Sequence, residues 1–287
     1  MKQRPSFPAR LDTTLAKNRP NAHGVATPIV TMAAPQPTGP ALLPTSASAS
    51  AVKRPPAQAN PAAPQGHGME SSAVRARMVH KLAAGGISDA HVLAAMGAIE
   101  RHRFVDSALI NQAYEDTSLP IGLGQTISKP GVVSRMLELL RNGNNGKLGR
   151  VLEIGTGCGY QAAVLSCLAT EVYSIERLRG LHDRARDNLR HLRLANLHLL
   201  FGDGMVGYPK GAPYAAIIAA AGGEAVPQAW VDQLAVGGRL VAPVVTMGAP
   251  GSAGGAQALL VLDKTAQGVR QTLLEAVYFV PLKSGIA

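Results

Sequence analysis

The residues best suited to chemistry form a glycine-rich segment, VLEIGTGCGYQAAVLS, at positions 151–166. The apolar run at 151–154 predicts a strand, and the apolar spacing after the glycines predicts a helix. Gly155, Gly157 and Gly159 lie between the two, where they permit a tight turn and the close ligand approach that a Cβ would obstruct. A strand, a glycine turn and a helix start in succession predict a nucleotide-cofactor site that faces the first amides of the helix.

The glycine spacing narrows the choice of cofactor. A dinucleotide site follows G-x-G-x-x-G, and counting from Gly155 its third glycine would fall on Tyr160. The observed pattern is E-x-G-x-G-x-G, with Glu153 at the end of the strand, and it resembles motif I of S-adenosylmethionine-dependent methyltransferases. One acid beside open backbone amides suits a methionine moiety, because its ammonium and its carboxylate must both be held. S-adenosylmethionine, as methyl donor, is the expected cofactor.

Two further acids stand at the ends of predicted strands. Residues 171–175 (EVYSI) predict the second strand, which ends at Glu176, 21 residues after Gly155, where an acid can accept hydrogen bonds from both ribose hydroxyls. The third predicted strand, residues 197–201, is followed by Asp203 between two glycines, from where a carboxylate can reach an adenine amino group. Three successive strand ends with an acid predict one cofactor site at that edge of the sheet.

A second segment, YEDTSLPIGLGQTISKP at residues 114–130, places hydroxyls just before a predicted helix. Thr126 and Ser128 precede Pro130, which is typical of a first helical turn. Hydroxyls at a helix start, with Lys129 beside them, are suited to receiving a carboxylate. From these residues alone, the alternative is that Ser128 only caps the helix.

The two segments together resemble one family. HRFVDSALINQAYEDTSLPIGLGQTISKP (residues 102–130), followed by the glycine segment, resembles the protein-L-isoaspartate(D-aspartate) O-methyltransferase family, and the similarity runs over residues 72–282. The resemblance implies methyl transfer from S-adenosylmethionine to the free α-carboxylate of L-isoaspartyl residues in damaged peptides and proteins, which initiates their repair. It also implies catalysis by positioning, since that carboxylate is already ionised near neutral pH.

The family's residue roles carry over by position. Its catalytic serine falls on Ser128, and its substrate-binding segment falls on Gln125, Thr126, Ile127 and Ser128. Its cofactor-binding positions fall on Glu153, Gly155, Thr156, Gly157, Glu176 and Asp203. FVPL at residues 279–282 resembles the family's closing strand, which borders the peptide site.

Two residues depart from the family pattern. Ala215 stands where Asp is common at the head of the fourth strand, which is expected to weaken one cofactor-side hydrogen bond. Lys129 stands where Gln is frequent, which is expected to add attraction for a carboxylate.

The order of elements predicts the fold class. Helices are expected at residues 72–82, 89–102, from 130 onward and at 178–192, with further strands at 215–221 and 239–245 and a terminal hairpin at 257–262 and 275–280. Strands that alternate with helices indicate an α/β protein with the Rossmann-like fold of class I methyltransferases. Such a fold has a mostly parallel sheet, helices on both faces and an antiparallel edge hairpin. The arginines at 177–193 are interleaved with acids, which favours a solvated helix face over a nucleic-acid patch.

Composition divides the 287 residues into two parts. Residues 1–70 hold 12 of the 20 prolines and one aromatic residue, so we expect a disordered, basic tail rich in Pro, Ala and Ser. Residues 71–287 are expected to form one S-adenosylmethionine-dependent methyltransferase domain. Met69 is a candidate alternative translation start.

Features that the sequence lacks limit the cofactors, partners and cellular locations that we expect. Cys158 and Cys167 form no C-x-x-C, and the eight histidines show no paired ligand spacing, so neither a disulfide framework nor a metal is predicted. No run of residues predicts a signal peptide or a membrane span. We expect a cytoplasmic monomer whose partners are isoaspartyl-containing peptides and proteins.

Two rival functions remain open. A nucleic-acid methyltransferase is favoured by the net charge of +10, although residues 219–223 (AAAGG) replace the N/D-P-P-aromatic motif of amino-methylating enzymes and neither cysteine follows proline. A non-catalytic peptide-binding module on the same fold is the other alternative.

Overall fold

The structure is a computed structural model that describes residues 72–246 and 256–287. The predicted tail, residues 1–70, lies outside the described residues. The α-helices are α1 Ser72–Ala84, α2 Ala90–Ala98, α3 Pro130–Arg141, α4 Tyr160–Leu168, α5 Arg179–Leu189 and α6 Gln228–Gln233. The strands are β1 Leu119–Gly122, β2 Gln125–Ile127, β3 Leu148–Ile154, β4 Ala169–Glu176, β5 Leu197–Phe201, β6 Tyr214–Ala219, β7 Leu234–Thr246, β8 Ala256–Thr265 and β9 Gly268–Val277. Short 3₁₀ helices lie at Arg101–Phe104, Ser107–Gln112, Arg190–Leu192, Gly204–Val206 and Pro209–Gly211.

Within these ranges, seven strands form one sheet in the order β5-β4-β3-β6-β7-β8-β9. Neighbouring strands from β5 to β7 are parallel, whereas β8 pairs antiparallel with both β7 and β9. The prediction of a mostly parallel sheet with an antiparallel edge is confirmed. The chain leaves β3 for β4 on one side and returns to β6 on the other side. Open α/β sheets bind ligands at such a reversal, outside the carboxyl ends of the strands.

Alternate strand residues build a hydrophobic core on each face of the sheet. Val151 of β3 and Ile218 of β6 join the core that packs against α1 to α5. Their neighbours Leu152 and Ile217 join the opposite core, with Trp230 of α6. All five side chains are buried. Helices therefore cover both faces, which is what strands buried on two sides require.

Helix α3 has the boundaries that its sequence predicts. Pro130 occupies the first turn, where its missing N–H costs no intrahelical hydrogen bond. The helix ends at Asn142 in a left-handed conformation (φ 47°), a position that Asn tolerates. Val133 and Leu137, one turn apart, are fully buried, so the helix start at Ser128–Pro130 is fixed by packing.

Three elements differ from the sequence predictions. The β1–β2 hairpin occupies part of the segment at residues 114–130, for which the sequence analysis predicts no strands. Helix α2 ends at Ala98 rather than at residue 102, because Ile99 is extended (φ −92°, ψ 125°). Strand β9 begins at Gly268 rather than at residue 275, and nearly all its residues are exposed. An exposed edge strand shows no apolar run, so the hydrophobic pattern did not reveal it.

Within residues 72–246 and 256–287, no helix combines the length and the apolar character needed to cross a bilayer.

Candidate active site

A cavity of about 430 Å³ lies at the strand-order reversal. Its wall includes the turn after β3, the end of β4 and the residues after β6, and these three strand ends are hydrogen-bonded to one another. The Gly155 amide donates to the Ile175 carbonyl at 2.9 Å, and the Ala220 amide donates to the Ile154 carbonyl at 2.8 Å. The carboxyl ends of β3, β4 and β6 thus form one continuous floor.

The glycine turn needs glycine for its backbone conformation and its packing. Gly155, Gly157 and Gly159 have φ values of 89°, 57° and 92°, in the left-handed region that other residues rarely adopt. A Cβ on Gly159 would lie 2.8 Å from Leu189 Cδ1, so α5 packs directly against the turn. The Asn188 side chain donates to the Cys158 carbonyl at 2.9 Å and holds the turn from the same helix. The structure places Gly155, Thr156 and Gly157 in the cavity wall, as expected for a cofactor turn.

Glu176 connects the end of β4 to this turn. Its Oε2 accepts from the Gly157 amide and its Oε1 accepts from the Leu178 amide, both at 2.9 Å. The side chain is 5% exposed and lines the cavity. Since a carboxylate has about four lone-pair sites, two acceptor positions remain for a ligand diol.

Glu153 lies behind the cavity wall rather than in it. It is fully buried, and its Oε2 accepts a hydrogen bond from Ser174 Oγ, which in turn contacts Thr156 Oγ1 at 2.6 Å. Burial raises the pKa of the Glu153 carboxyl to about 8. Its other oxygen has no hydrogen-bond partner among the described residues. Glu153 is thus linked to the cavity wall through Ser174 and Thr156, and its direct contact with a cofactor stays a prediction.

Asp203 also lies outside the cavity wall, although its neighbour Gly204 belongs to it. Its Oδ1 accepts from the Met205 amide at 2.8 Å and its Oδ2 accepts from the Gly285 amide at 2.7 Å. The aspartate thus caps a 3₁₀ turn and holds the C-terminal segment. Its contact with adenine stays a prediction.

The β1–β2 hairpin brings the predicted substrate segment to the cavity. Gln125, Thr126, Ile127 and Ser128 all line it, opposite the glycine turn. Ile127 is 4% exposed and anchors the short strand in the core. Among the described residues, the Ser128 hydroxyl has no hydrogen-bond partner, while its main-chain carbonyl accepts from Arg101 Nη2 at 2.8 Å. The serine hydroxyl is therefore available to a ligand, and its backbone is fixed.

Arg184 of α5 holds the hairpin from outside. Its Nη1 donates to the Ile121 carbonyl at 2.7 Å, and its Nη2 pairs with Asp106 at 3.0 Å. The prediction of a solvated face rather than a nucleic-acid patch does not include this contact, since Arg184 is half-buried and holds the hairpin. Periodicity could not reveal this role, because the hydrogen-bond acceptor lies 63 residues away in the sequence.

The segment after β9 supplies a further wall. Val280, Pro281, Leu282 and Lys283 line the cavity. The segment crosses the end of β6, where the Gly222 amide donates to the Val280 carbonyl and the Leu282 amide donates to the Gly222 carbonyl, both at 2.8 Å. FVPL was expected to border the site, and the structure brings three of its residues into the cavity wall itself.

A second cavity, of about 680 Å³, adjoins the first at Ser128, which lines both. Lys129 lines only the second cavity, and its Nζ lies 3.7 Å from Asp116 Oδ2. The attraction expected from Lys129 for a carboxylate is thus directed to the second cavity and is shared with Asp116.

Ala215 is remote from the site. It lies near the start of β6, whereas Ala220 and Ala221, after the strand, line the cavity. Ala215 and Ala220 are five residue steps apart, which corresponds to about 16 Å of extended chain. The expectation that Ala215 weakens a cofactor-side hydrogen bond is therefore wrong, because the carboxyl end of the strand, not its head, forms the site.

The cavity offers hydrogen-bonding groups and an apolar wall but no strong nucleophile. Cys158 lines it, yet burial raises the pKa of its thiol, so the thiol stays protonated at neutral pH. In the part of the chain that the structure describes, no group of three or more His, Cys, Asp or Glu side chains is placed to hold a metal ion.

A glycine turn at the strand-order reversal, with an acid at the end of the next strand, fits a nucleoside bearing a ribose diol. The fold and this site define a class I S-adenosylmethionine-dependent methyltransferase. The chain belongs to the protein-L-isoaspartate(D-aspartate) O-methyltransferase family, whose sequence model matches residues 73–287.

Similarity to individual proteins supports the family assignment. The chain is 60% identical over 229 residues to a protein-L-isoaspartate O-methyltransferase of Leptothrix cholodnii, covering 79% of each. A solved structure of a protein-L-isoaspartate O-methyltransferase superposes with a TM-score of 0.65 at 28% identity, covering 74% of this chain and 67% of that one. A second, from Plasmodium falciparum in complex with S-adenosyl-L-homocysteine, has the same fold, with a TM-score of 0.62 at 23% identity over 73% of this chain and 98% of that one. The predicted family, fold and enzyme class are confirmed.

Proposed function

We propose that this protein transfers a methyl group from S-adenosylmethionine to the free α-carboxylate of L-isoaspartyl residues in damaged peptides and proteins. Family membership supports the reaction. The single observation that carries the assignment of residues is that one cavity is lined both by the glycine turn and by the hydroxyl-bearing hairpin. A donor on the turn and an acceptor on the hairpin would then meet inside it.

The donor side of the site consists of Gly155, Thr156, Gly157 and Glu176. When bound, S-adenosylmethionine supplies a methyl group on a sulfonium ion. The Glu176 carboxylate retains acceptor capacity for the ribose hydroxyls, and its bond to the Gly157 amide sets the shape of the turn around them. Glu153 supports the turn through Ser174 and Thr156.

The acceptor side consists of Gln125, Thr126, Ile127 and Ser128. An isoaspartyl α-carboxylate is ionised near neutral pH, so it needs no protein base to act as the nucleophile. The free Ser128 hydroxyl would donate a hydrogen bond to this carboxylate and orient one oxygen for in-line attack. The hairpin on one side and residues 280–283 on the other limit access of water to the reacting groups.

The product is a methyl ester of the α-carboxyl. An ester carbonyl can expel methanol, whereas a carboxylate has no comparable leaving group, so the neighbouring backbone amide nitrogen can attack the ester carbonyl, close a succinimide ring and release methanol. Hydrolysis of that ring returns part of the material as normal aspartate. Repair then follows without further chemistry by the protein.

The proposal also covers the domain boundaries, the cellular location, the oligomeric state and the metal requirement of the enzyme. Residues 71–287 would form the catalytic domain, and residues 1–70 would be a basic tail outside it. The enzyme would act in the cytoplasm as a monomer and without a metal.

One assay tests the proposed reaction. Methyl-labelled S-adenosylmethionine is offered with two peptides of the same sequence that differ only in an isoaspartyl or an aspartyl linkage. We expect a base-labile methyl ester on the isoaspartyl peptide alone. Transfer to RNA or DNA in parallel reactions would favour the nucleic-acid alternative, and binding of the donor without any transfer would favour a non-catalytic module.

A further inference from the structure

Arg101 is a fully buried arginine directly behind the proposed substrate site. It belongs to the 3₁₀ helix that follows α2, and none of its surface is exposed to solvent. Its Nε donates to the Ala113 carbonyl at 2.7 Å, and its Nη2 donates to the Ser128 carbonyl at 2.8 Å. Its guanidinium carbon lies 4.9 Å from the centroid of the Tyr160 ring. The guanidinium is thus fixed by two carbonyls and one aromatic face.

This buried charge has no acidic partner. No carboxylate of the described residues lies within ion-pair distance of Arg101, and its Nη1 atom has no hydrogen-bond partner there. Asp116 is the carboxylate that influences it, yet Asp116 accepts from the Gly131 amide at 2.6 Å and lies beside Lys129. Arginine remains protonated in proteins, so the interior holds an uncompensated positive charge.

Arg141 shows how the same fold treats an ordinary buried arginine. Its side chain is 1% exposed, and its Nε pairs with Asp89 Oδ2 at 2.7 Å. Its other nitrogens donate to the carbonyls of Gly146 and Asn144. An unpaired buried charge is costly to a fold, whereas Arg141 is fully compensated. The contrast indicates that the charge of Arg101 is balanced by something outside the protein chain.

The position of Arg101 points to a carboxylate ligand. Ser128 and Tyr160, which it contacts, both line the first cavity. The charge therefore lies one residue behind the wall, in surroundings of low polarity where electrostatic interactions are only weakly screened. The proposed substrate brings a carboxylate into that cavity beside Ser128, in addition to the methionine carboxylate of the methyl donor.

We propose that Arg101 is a positioning residue for the reaction: it holds the main chain of Ser128 and supplies the positive charge that makes the cavity selective for an ionised carboxylate. This inference rests on the proposed function. It adds a residue that selects the ionised group, while Ser128 orients it. Arg101 acts through its hydrogen bond to the Ser128 carbonyl and through its electric field, and it does not touch the reacting atoms.

The test compares a charged ligand with a neutral one. Binding is measured for an isoaspartyl peptide and for the matched isoasparaginyl peptide, whose α-carboxyl is an amide, with S-adenosylhomocysteine present so that no transfer occurs. The wild type should bind the carboxylate peptide more tightly. In Arg101→Gln this preference should fall at least about tenfold, and Arg101→Lys should retain most of it because the charge remains.

A purely structural role gives a different result. If Arg101 only supported the hairpin, Arg101→Gln would weaken both peptides equally and the ratio would not change, which would overturn the inference. Arg141→Gln is the matched control: it removes a buried arginine elsewhere, so it should lower the melting temperature and leave the ratio at its wild-type value. An equal fall in ratio for Arg141→Gln would also overturn the inference.

A measurement on a protein that keeps Arg101 covers the case in which the Arg101 variants do not fold. With the α-carboxyl of the peptide labelled with ¹³C, its pKa is measured free and in the complex with Ser128→Ala, which lacks the serine hydrogen bond. The field of Arg101 should still lower the carboxyl pKa in that complex, and an unchanged or raised value would contradict it. If neither peptide binds the wild type, the proposed function itself is contradicted. If the wild type prefers the carboxylate peptide and Arg101→Gln keeps the same preference, only the inference about Arg101 is contradicted.

Discussion

Replacing Ser128 by alanine removes one hydroxyl from the site and little else. The hydroxyl has no partner among the described residues, and the Ser128 carbonyl that accepts from Arg101 is unchanged by the substitution. The free energy of unfolding should therefore change by no more than about 0.5 kcal/mol. A hydrogen bond to a charged carboxylate contributes about 1.5–3 kcal/mol, which corresponds to a loss of about ten- to a hundredfold in rate.

The loss should appear mainly in kcat, because the hydrogen bond orients the attacking oxygen. Initial rates are measured with an isoaspartyl peptide at saturating S-adenosylmethionine, together with the donor Kd and the melting temperature. Ser107→Ala, an exposed serine that lines neither cavity, is the matched control and should behave as wild type. Unchanged kinetics in Ser128→Ala would remove Ser128 from the site, and a parallel loss of donor affinity would show that its effect is on the turn.

The remaining predictions concern the donor side, pH and the tail. Glu176→Gln should weaken S-adenosylmethionine binding by about tenfold in calorimetric titration, and wild-type affinity would refute its ribose role. The pKa of buried Glu153 is raised from 4.5 to about 8, so the stability it contributes is complete at low pH and is lost as pH rises through about 8. The glutamine in Glu153→Gln stays neutral at every pH. The difference in unfolding free energy between this variant and the wild type should therefore rise in favour of the variant by up to about 1.4 kcal/mol per pH unit between about pH 5 and 8. A difference that does not change with pH in denaturant titrations would contradict the burial of the Glu153 carboxyl. Deleting residues 1–68 should leave activity and melting temperature near those of the full chain, and a collapse of either would show that the tail is structural.

The parallel core of the fold follows from the sequence, whereas its edges do not. Strands β3, β4 and β6 are short runs rich in apolar residues, β3 and β4 are each followed by a helical pattern, and burial makes such runs visible in the sequence. Strand β9 is mostly exposed, and its apolar residues form no long continuous run, so it carries no such signal. The β1–β2 hairpin turns at Leu123 and Gly124, with φ values of 51° and 69°, in a segment whose glycines and prolines are equally typical of a loop.

The candidate site divides in a similar way. The glycine turn and Glu176 follow from local spacing, because a tight turn and a strand end are local features. Arg101, Arg184 and residues 280–283 reach the site only through tertiary contacts, with partners such as Ser128 and Gly222 that lie far away in sequence. For Ala215 the sequence suggests a role that the structure does not support. This residue departs from the family pattern, yet it lies at the end of its strand that is far from the cavity.

The most direct test of the account is a crystal structure of the enzyme with S-adenosylhomocysteine and an isoaspartyl peptide bound together. The account predicts the sulfur over the Gly155–Gly157 turn, the peptide α-carboxylate within about 4 Å of it, and Ser128 Oγ within hydrogen-bond distance of that carboxylate. A peptide carboxylate placed away from the sulfur, or held without Ser128, would contradict the central claim that one cavity brings donor and acceptor together.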